Sequence, residues 1–211
     1  MLVSIRFNLS EVMNLSMHIL FSDNDIVVCI KPVGLDSEHD VPKCLCEALG
    51  GTVFPVHRLD KQVSGVMVYA RTKSAAAYLS KVIQSGEMVK EYVAWVHGIT
   101  PDAGELTDLL WKDNAKNKVY VVKRKRGGVK EAKLSFETIR RGEMQSFVRV
   151  RLYTGRSHQK RVQFASRGYP LVGDHKYGDK SHWTEPKLYS CAISFPYKGQ
   201  VHTFTSMPDW A

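Results

Sequence analysis

His57-Arg58-Leu59-Asp60-Lys61-Gln62-Val63-Ser64-Gly65 joins two β-rich runs, 52–58 and 65–71, and leaves one carboxylate at a strand junction among cations. The flanking runs alternate in the period of two that a strand requires. Further along, Tyr153-Thr154-Gly155-Arg156-Ser157-His158-Gln159 places a guanidinium ahead of a short helix over 157–166, with Ser157 as its cap and Gly168 as its stop. An aspartate after a strand is also a common turn or capping residue, so Asp60 carries that structural reading beside a chemical one.

Working outward, 25–31 is a β-branched run closed by Pro32 and Gly34, and reads as a buried strand and a turn. A short helix is expected over 42–50. A second helix over 73–85 is capped by Thr72 and ended by Gly86. Residues 88–98 alternate as a strand, with Tyr92 on one face beside Lys90. Further strands are expected at 104–110, 117–123, 131–140, 145–153, 188–195 and 200–205. Strands outnumber helices and many connections are short. The expected class is therefore α+β, a mixed and mainly antiparallel sheet with flanking helices. Residues 1–17 read as a short helical or frayed extension, because Arg6, Asn8, Glu11 and Asn14 interrupt their apolar character. The remaining chain, 18–211, reads as one catalytic unit.

Thirty Lys and Arg against 21 Asp and Glu leave +9 over 211 residues, which favours a polyanionic partner. The charge is concentrated in 112–133, where nine cations and two acids leave +7. Lys123-Arg124-Lys125-Arg126-Gly127-Gly128 reads as the tip of a basic hairpin that grips phosphates. A solvated loop is the ordinary alternative. Cys29, Cys44, Cys46 and Cys191 lack zinc spacing and read as reduced, structural thiols of a cytoplasmic protein. No metal and no cofactor is expected. No run is long and apolar enough for a membrane helix, and the first residues lack the features of a secretory signal.

Five stretches, in order, resemble the RluA family of pseudouridine synthases. They are Lys31-Pro32-Val33-Gly34-Leu35; HRLDKQVSG at 57–65; Lys90-Glu91-Tyr92-Val93-Ala94 with Gly98; TGRSHQKRVQ at 154–163; and Gly168-Tyr169-Pro170-Leu171-Val172-Gly173-Asp174 with Tyr177-Gly178. Val63 stands where that family commonly has threonine, and Cys191 where histidine often precedes alanine. The resemblance implies that family's catalytic domain with its central cleft, without a separate N-terminal RNA-binding domain. It implies isomerisation of uridine in rRNA or tRNA, with RNA as partner; a monomer is the default expectation, the oligomeric state not being legible in the sequence.

What the resemblance implies for residues is specific. Asp60 acts as nucleophile or base, ionised at neutral pH without assistance. Tyr92 stacks on the uracil and assists loss of the C5 proton. Arg156 orients the Asp60 carboxylate or contacts the phosphate of the extruded nucleotide. Arg58 fills the vacated space. His57, Lys90, His158, Gln159 and Arg161 join Lys123, Arg124, Lys125 and Arg126 as RNA contacts, with packing or loop-fixing roles as alternatives for His57, His158 and Gln159. The competing expectation is a non-catalytic RNA-binding or RNA-folding protein on the same fold.

Overall fold

The computed structural model describes residues 3–8 and 14–211. In chain order the elements begin with β1 (Val3–Asn8), β2 (Asn14–Ser22), β3 (Ile26–Lys31), α1 (Asp40–Leu49), β4 (Phe54–Pro55), β5 (Ser64–Ala70) and α2 (Lys73–Gln84). There follow β6 (Val89–His97), β7 (Ala103–Asp113), β8 (Lys118–Val122), β9 (Val129–Arg141), β10 (Gln145–Leu152) and α3 (Gln159–Ala165). A 3-10 turn at His175–Tyr177, β11 (Leu188–Tyr197) and β12 (Gln200–Thr205) complete the chain. Two compact units result: Met1–Lys90 with Ser190–Trp210, and Glu91–Tyr189. The α+β class expected from sequence is the class observed.

In the first unit the strand order is β1-β2-β3-β5-β11, with β4 on β5 and β12 on β11. β3 and β5 are antiparallel, Ile26 opposite Ala70 through Lys31 opposite Gly65. Ile26, Val28, Val66 and Val68 pack with Ala75, Leu79 and Val82 of α2 and with Ile193 and Phe195 of β11. Burying side chains such as Leu79 and Val82 stabilises by about 1.5–3 kcal/mol each. The alternate residues Val27, Cys29, Met67 and Tyr69 are equally buried, so both faces of this sheet are covered. Thr72 caps α2, its Oγ1 accepting from the Ala75 N–H at 3.1 Å.

Two expectations change here. Residues 3–8 form a strand paired antiparallel with 14–19, not a helical extension. Val3-Ser4-Ile5-Arg6-Phe7-Asn8 alternates apolar and polar residues in sequence, the period a strand requires. Residues 9–13, Glu11 among them, lie outside the described ones. The strand expected over 52–58 shrinks to Phe54–Pro55. Pro55 offers no N–H to a ladder, and two residues later the His57 ring, not backbone, accepts from Val68.

In the second unit the order is β6-β10-β9-β7-β8. The hydrophobic side of this sheet carries Leu106, Leu110, Val119, Ala132, Leu134, Phe136, Val148 and Val150, all buried. α3 closes part of it. Val162 packs with Leu110, Val119 and Ala132, while the Phe136 and Phe164 rings meet edge to face at 5.3 Å. The basic hairpin is corrected as well. β8 pairs with β7, not β9, so the hairpin is β7–β8 and its turn is 114–117. Residues 123–128 instead form a connection from β8 to β9, two strands away, and Arg126 lies over the Trp111 ring of β7 at 5.1 Å.

Candidate active site

In the first unit the Asp60 loop is pinned from below by backbone. The Ser37 hydroxyl donates to the Leu59 carbonyl at 2.9 Å and accepts from the Leu59 N–H at 3.2 Å, both buried. Asp60 closes a tight turn in which Val63 N–H donates to its carbonyl at 2.9 Å. Gly34 N–H donates to the Lys61 carbonyl at 2.9 Å, joining the Lys31-Pro32-Val33-Gly34 turn to the aspartate turn. Two of the quoted motifs are thus one structure.

Beneath that turn lies Lys31, fully buried, its Nζ donating to the carbonyls of Pro32 (2.8 Å) and Lys61 (3.2 Å). Burial pushes this ammonium down to about 8, opposed by the negative charges of Asp36, Asp60 and Asp40. Its charge is thus felt by three carboxylates, Asp36 most and Asp60 next. Sequence reading quoted Lys31 in a motif and gave it no role; burial was the missing signal.

Gly65 shows why this motif ends as it does. Its φ is +125, and a Cβ there would lie 2.3 Å from the Ser190 carbonyl oxygen of β11. Only glycine lets the two backbones approach.

Of the residues expected to contact RNA in this unit, His57 is half-buried. Its Nε2 accepts from Val68 N–H at 3.2 Å, and its Nδ1 is buried with no hydrogen-bond partner among the described residues. Burial first, and Lys90 second, push it down to about 3, so the ring is neutral and structural. Arg58 is exposed and pairs with Glu38 at 2.9 Å. Such a surface pair is weak and free to exchange for a phosphate. Lys90 is half-buried, and burial lowers its proton affinity.

In the second unit Tyr92 is 3% exposed on β6, and Lys160 of α3 holds its Nζ 3.5 Å from the ring centroid. The TGRSHQ loop that carries α3 is organised by Gln159, which is fully buried. Its Oε1 accepts from Thr154 Oγ1 (2.8 Å) and Arg156 N–H (3.0 Å), and its Nε2 donates to the Lys133 carbonyl at 3.1 Å. Gln159 therefore fixes the loop, the role left open for it beside an RNA contact. The helix begins at Gln159 with His158, not Ser157, as the preceding residue, in a left-handed conformation (φ 49). His158 Nδ1 and the Tyr177 hydroxyl share a hydrogen bond of 2.8 Å.

The two arginines of this motif separate sharply. Arg161 is 4% exposed and forks the equally buried Asp174, Nε to Oδ2 at 2.6 Å and Nη2 to Oδ1 at 2.7 Å. It anchors α3 to the 168–174 stretch. Gly173 in that stretch has φ +82, and a Cβ there would lie 1.9 Å from the Glu185 carbonyl oxygen. Arg156 is exposed, and its Nε donates to the Glu131 carbonyl at 2.8 Å. Both were quoted in one motif, and alternation along a short helix could not separate them. Lys160, between them, had no assigned role.

Lys123, Arg124, Lys125 and Arg126 are all exposed. Among the described residues no cysteine is in a disulfide, and burial pushes Cys29 up to about 12. Among the described residues no group of three or more His, Cys, Asp or Glu could hold a metal, and no helix is long and apolar enough to cross a membrane.

Residues 25–166 match the family model for RNA pseudouridylate synthase. The chain belongs to that family. Among its relatives is the Dual-specificity RNA pseudouridine synthase RluA of Vibrio vulnificus, 32% identical over 205 residues, 90% of this chain and 81% of that protein. An uncharacterized RNA pseudouridine synthase of Aquifex aeolicus is 35% identical over 84% of this chain and 61% of its own length. The mitochondrial tRNA pseudouridine(32) synthase of Saccharomyces cerevisiae is 32% identical over 78% of this chain and 38% of its own. The chain thus spans less than two thirds of these last two relatives. The solved structure of Human RNA Pseudouridylate Synthase Domain Containing 1 superposes with TM-score 0.79 at 21% identity, covering 92% of this chain and 84% of that one, and shares the fold. The mainly antiparallel synthase architecture and the RluA resemblance hold.

Proposed function

We propose that the protein isomerises uridine to pseudouridine within rRNA or tRNA, with Asp60 as the catalytic carboxylate. The observation that carries this reading is the Asp60 turn, joined by the Gly34 N–H to the Lys31–Gly34 turn and underlain by the buried Lys31, whose Nζ donates to the Lys61 carbonyl at 3.2 Å. The N1–C1′ bond breaks, the uracil turns, a C1′–C5 bond forms, and the C5 proton leaves, so atoms balance with no external group. Asp60 opens the sequence either by attack at C1′ or by removing the C2′ proton. Tyr92 offers its ring to the uracil and its hydroxyl to the C5 proton. Arg156, exposed, orients the Asp60 carboxylate or addresses the phosphate of the extruded nucleotide. Free thiols suit a reducing, cytoplasmic setting.

Tritium release from RNA labelled at uracil C5 tests the reading. Asp60→Asn is expected to abolish release while RNA affinity and thermal unfolding stay close to wild type. Normal turnover by that variant would remove Asp60 from the mechanism. Binding without release by the wild-type chain would favour the non-catalytic RNA-binding reading.

A further inference from the structure

The sheet of the second unit has two unlike faces. Leu106, Leu110, Leu134, Phe136, Val148 and Val150 point to the side α3 covers. The alternate residues point the other way, and the register sets them in rows. Arg151 lies opposite Ser135, Ser135 opposite Glu105, Lys133 opposite Thr107, and Trp111 opposite Tyr120. Arg149, Arg151, Glu105 and Thr107 are exposed. At the end of β10 the ring of Tyr153 is 50% exposed.

A half-exposed tyrosine at the end of a strand is ordinary; its surroundings are not. Arg151 lies 5.7 Å from the ring centroid and Lys133 Nζ 5.4 Å. The Tyr153 hydroxyl and Ser135 Oγ are hydrogen-bonded at 3.2 Å, and the Tyr153 N–H donates to the Lys133 carbonyl at 3.1 Å. Both ends of the residue are fixed, so the ring is set before any ligand arrives. Farther along the same face the Trp111 and Tyr120 rings stack at 6.2 Å, with Arg126 of the exposed basic connection over Trp111 and Lys118 near Tyr120. Glu105, paired with Lys133 at 3.0 Å, is a nearby acid.

Pre-set rings interleaved with cations on an uncovered sheet fit an unpaired polyanion whose units carry flat faces. We propose that this face, centred on Tyr153 with Arg151 and Lys133, binds unpaired nucleotides of the RNA substrate. It deepens the RNA-modifying reading, on which it rests. A base stacks on Tyr153 while Arg151 and Lys133 turn to its phosphates. The strand then runs toward Tyr120, Trp111 and the 123–128 connection. A target stem with an unpaired flank is thereby favoured over uninterrupted duplex.

The test uses the full chain and fluorescence anisotropy with two probes, an oligouridylate of about a dozen nucleotides and a blunt RNA duplex of similar length. Tyr153→Leu is expected to weaken the oligouridylate about tenfold and leave its salt dependence and the duplex affinity unchanged. Tyr153→Phe keeps the ring and loses only the Ser135 contact, so it is expected to stay within about twofold of wild type. Arg151→Gln is expected to reduce the salt slope by about one unit. Wild-type affinity in Tyr153→Leu overturns the proposal. So does an equal loss in Tyr153→Phe, or a parallel loss on duplex, either of which marks a general disturbance of the fold. Tritium release keeps the two readings apart. Release by the wild type with unaltered binding in Tyr153→Leu sinks the platform alone. Absence of release with ring-dependent binding sinks the isomerase reading and leaves an RNA-binding face.

Discussion

Two lysines define this protein at the scale of single residues. Lys31 is charged below about 8 and neutral above, because burial outweighs the pull of Asp36, Asp60 and Asp40. A lysine with a lowered folded value binds fewer protons folded than unfolded between about 8 and its ordinary value, so rising pH through that window favours the fold. Activity is expected to move oppositely, since the positive charge buried beneath the Asp60 turn is lost. Single-turnover rates are expected to fall above pH about 8 in the wild type, and Lys31→Met is expected to be slow throughout and to lack that limb. A wild-type profile still rising at pH 10 would contradict this role. Lys160, 3.5 Å over the Tyr92 ring, gives a second prediction. Lys160→Met is expected to lower the rate at saturating RNA several-fold, and Lys160→Arg to restore most of it, since a guanidinium also sits on aromatic faces. Equal rates in all three would leave that cation without a part in turnover.

Elements show what could be read in advance and what could not. α2 was legible almost to the residue because Thr72, the Ala75–Leu79–Val82 stripe and Gly86 all act locally. Thr72→Ala is expected to cost about 1 kcal/mol in urea unfolding. β1 was missed because one strict alternation passed for an interrupted apolar run. The β8–β9 hairpin was misread because charge and glycines announce a loop but do not say which strand lies beside which; β7 intervenes. Asp60 and Tyr92 were legible through local motifs. The division of labour between Arg156 and Arg161 was not, since it depends on Asp174 arriving from thirteen residues away. At the β5–β11 approach, Gly65→Ala is expected to destabilise by about 3 kcal/mol or more, because no side chain can yield where the Cβ meets backbone. An unchanged urea midpoint would show that the two strands can part.

For the molecule as a whole, charge sets the terms of association. Of a net +9, the stretch 112–133 supplies +7, and its four consecutive cations are all exposed. Replacing Lys123, Arg124, Lys125 and Arg126 together by serine is expected to flatten the log–log salt dependence of RNA binding by about three units. Isomerisation at saturating RNA and low salt should change little. An unaltered slope would place the phosphate contacts elsewhere on the protein.

The first unit is discontinuous: Ser190–Trp210 returns to join Met1–Lys90 after the whole of Glu91–Tyr189 has intervened. On a ribosome adding 5–20 residues each second, the amino-terminal portion therefore waits roughly 5–20 s for its last strands. Until β11 emerges, the edge of β5 at Gly65 has no neighbour on that side. Nascent chains halted before residue 190 should accordingly be cut by protease within the first ninety residues, while the later-made segment, contiguous in sequence, resists sooner.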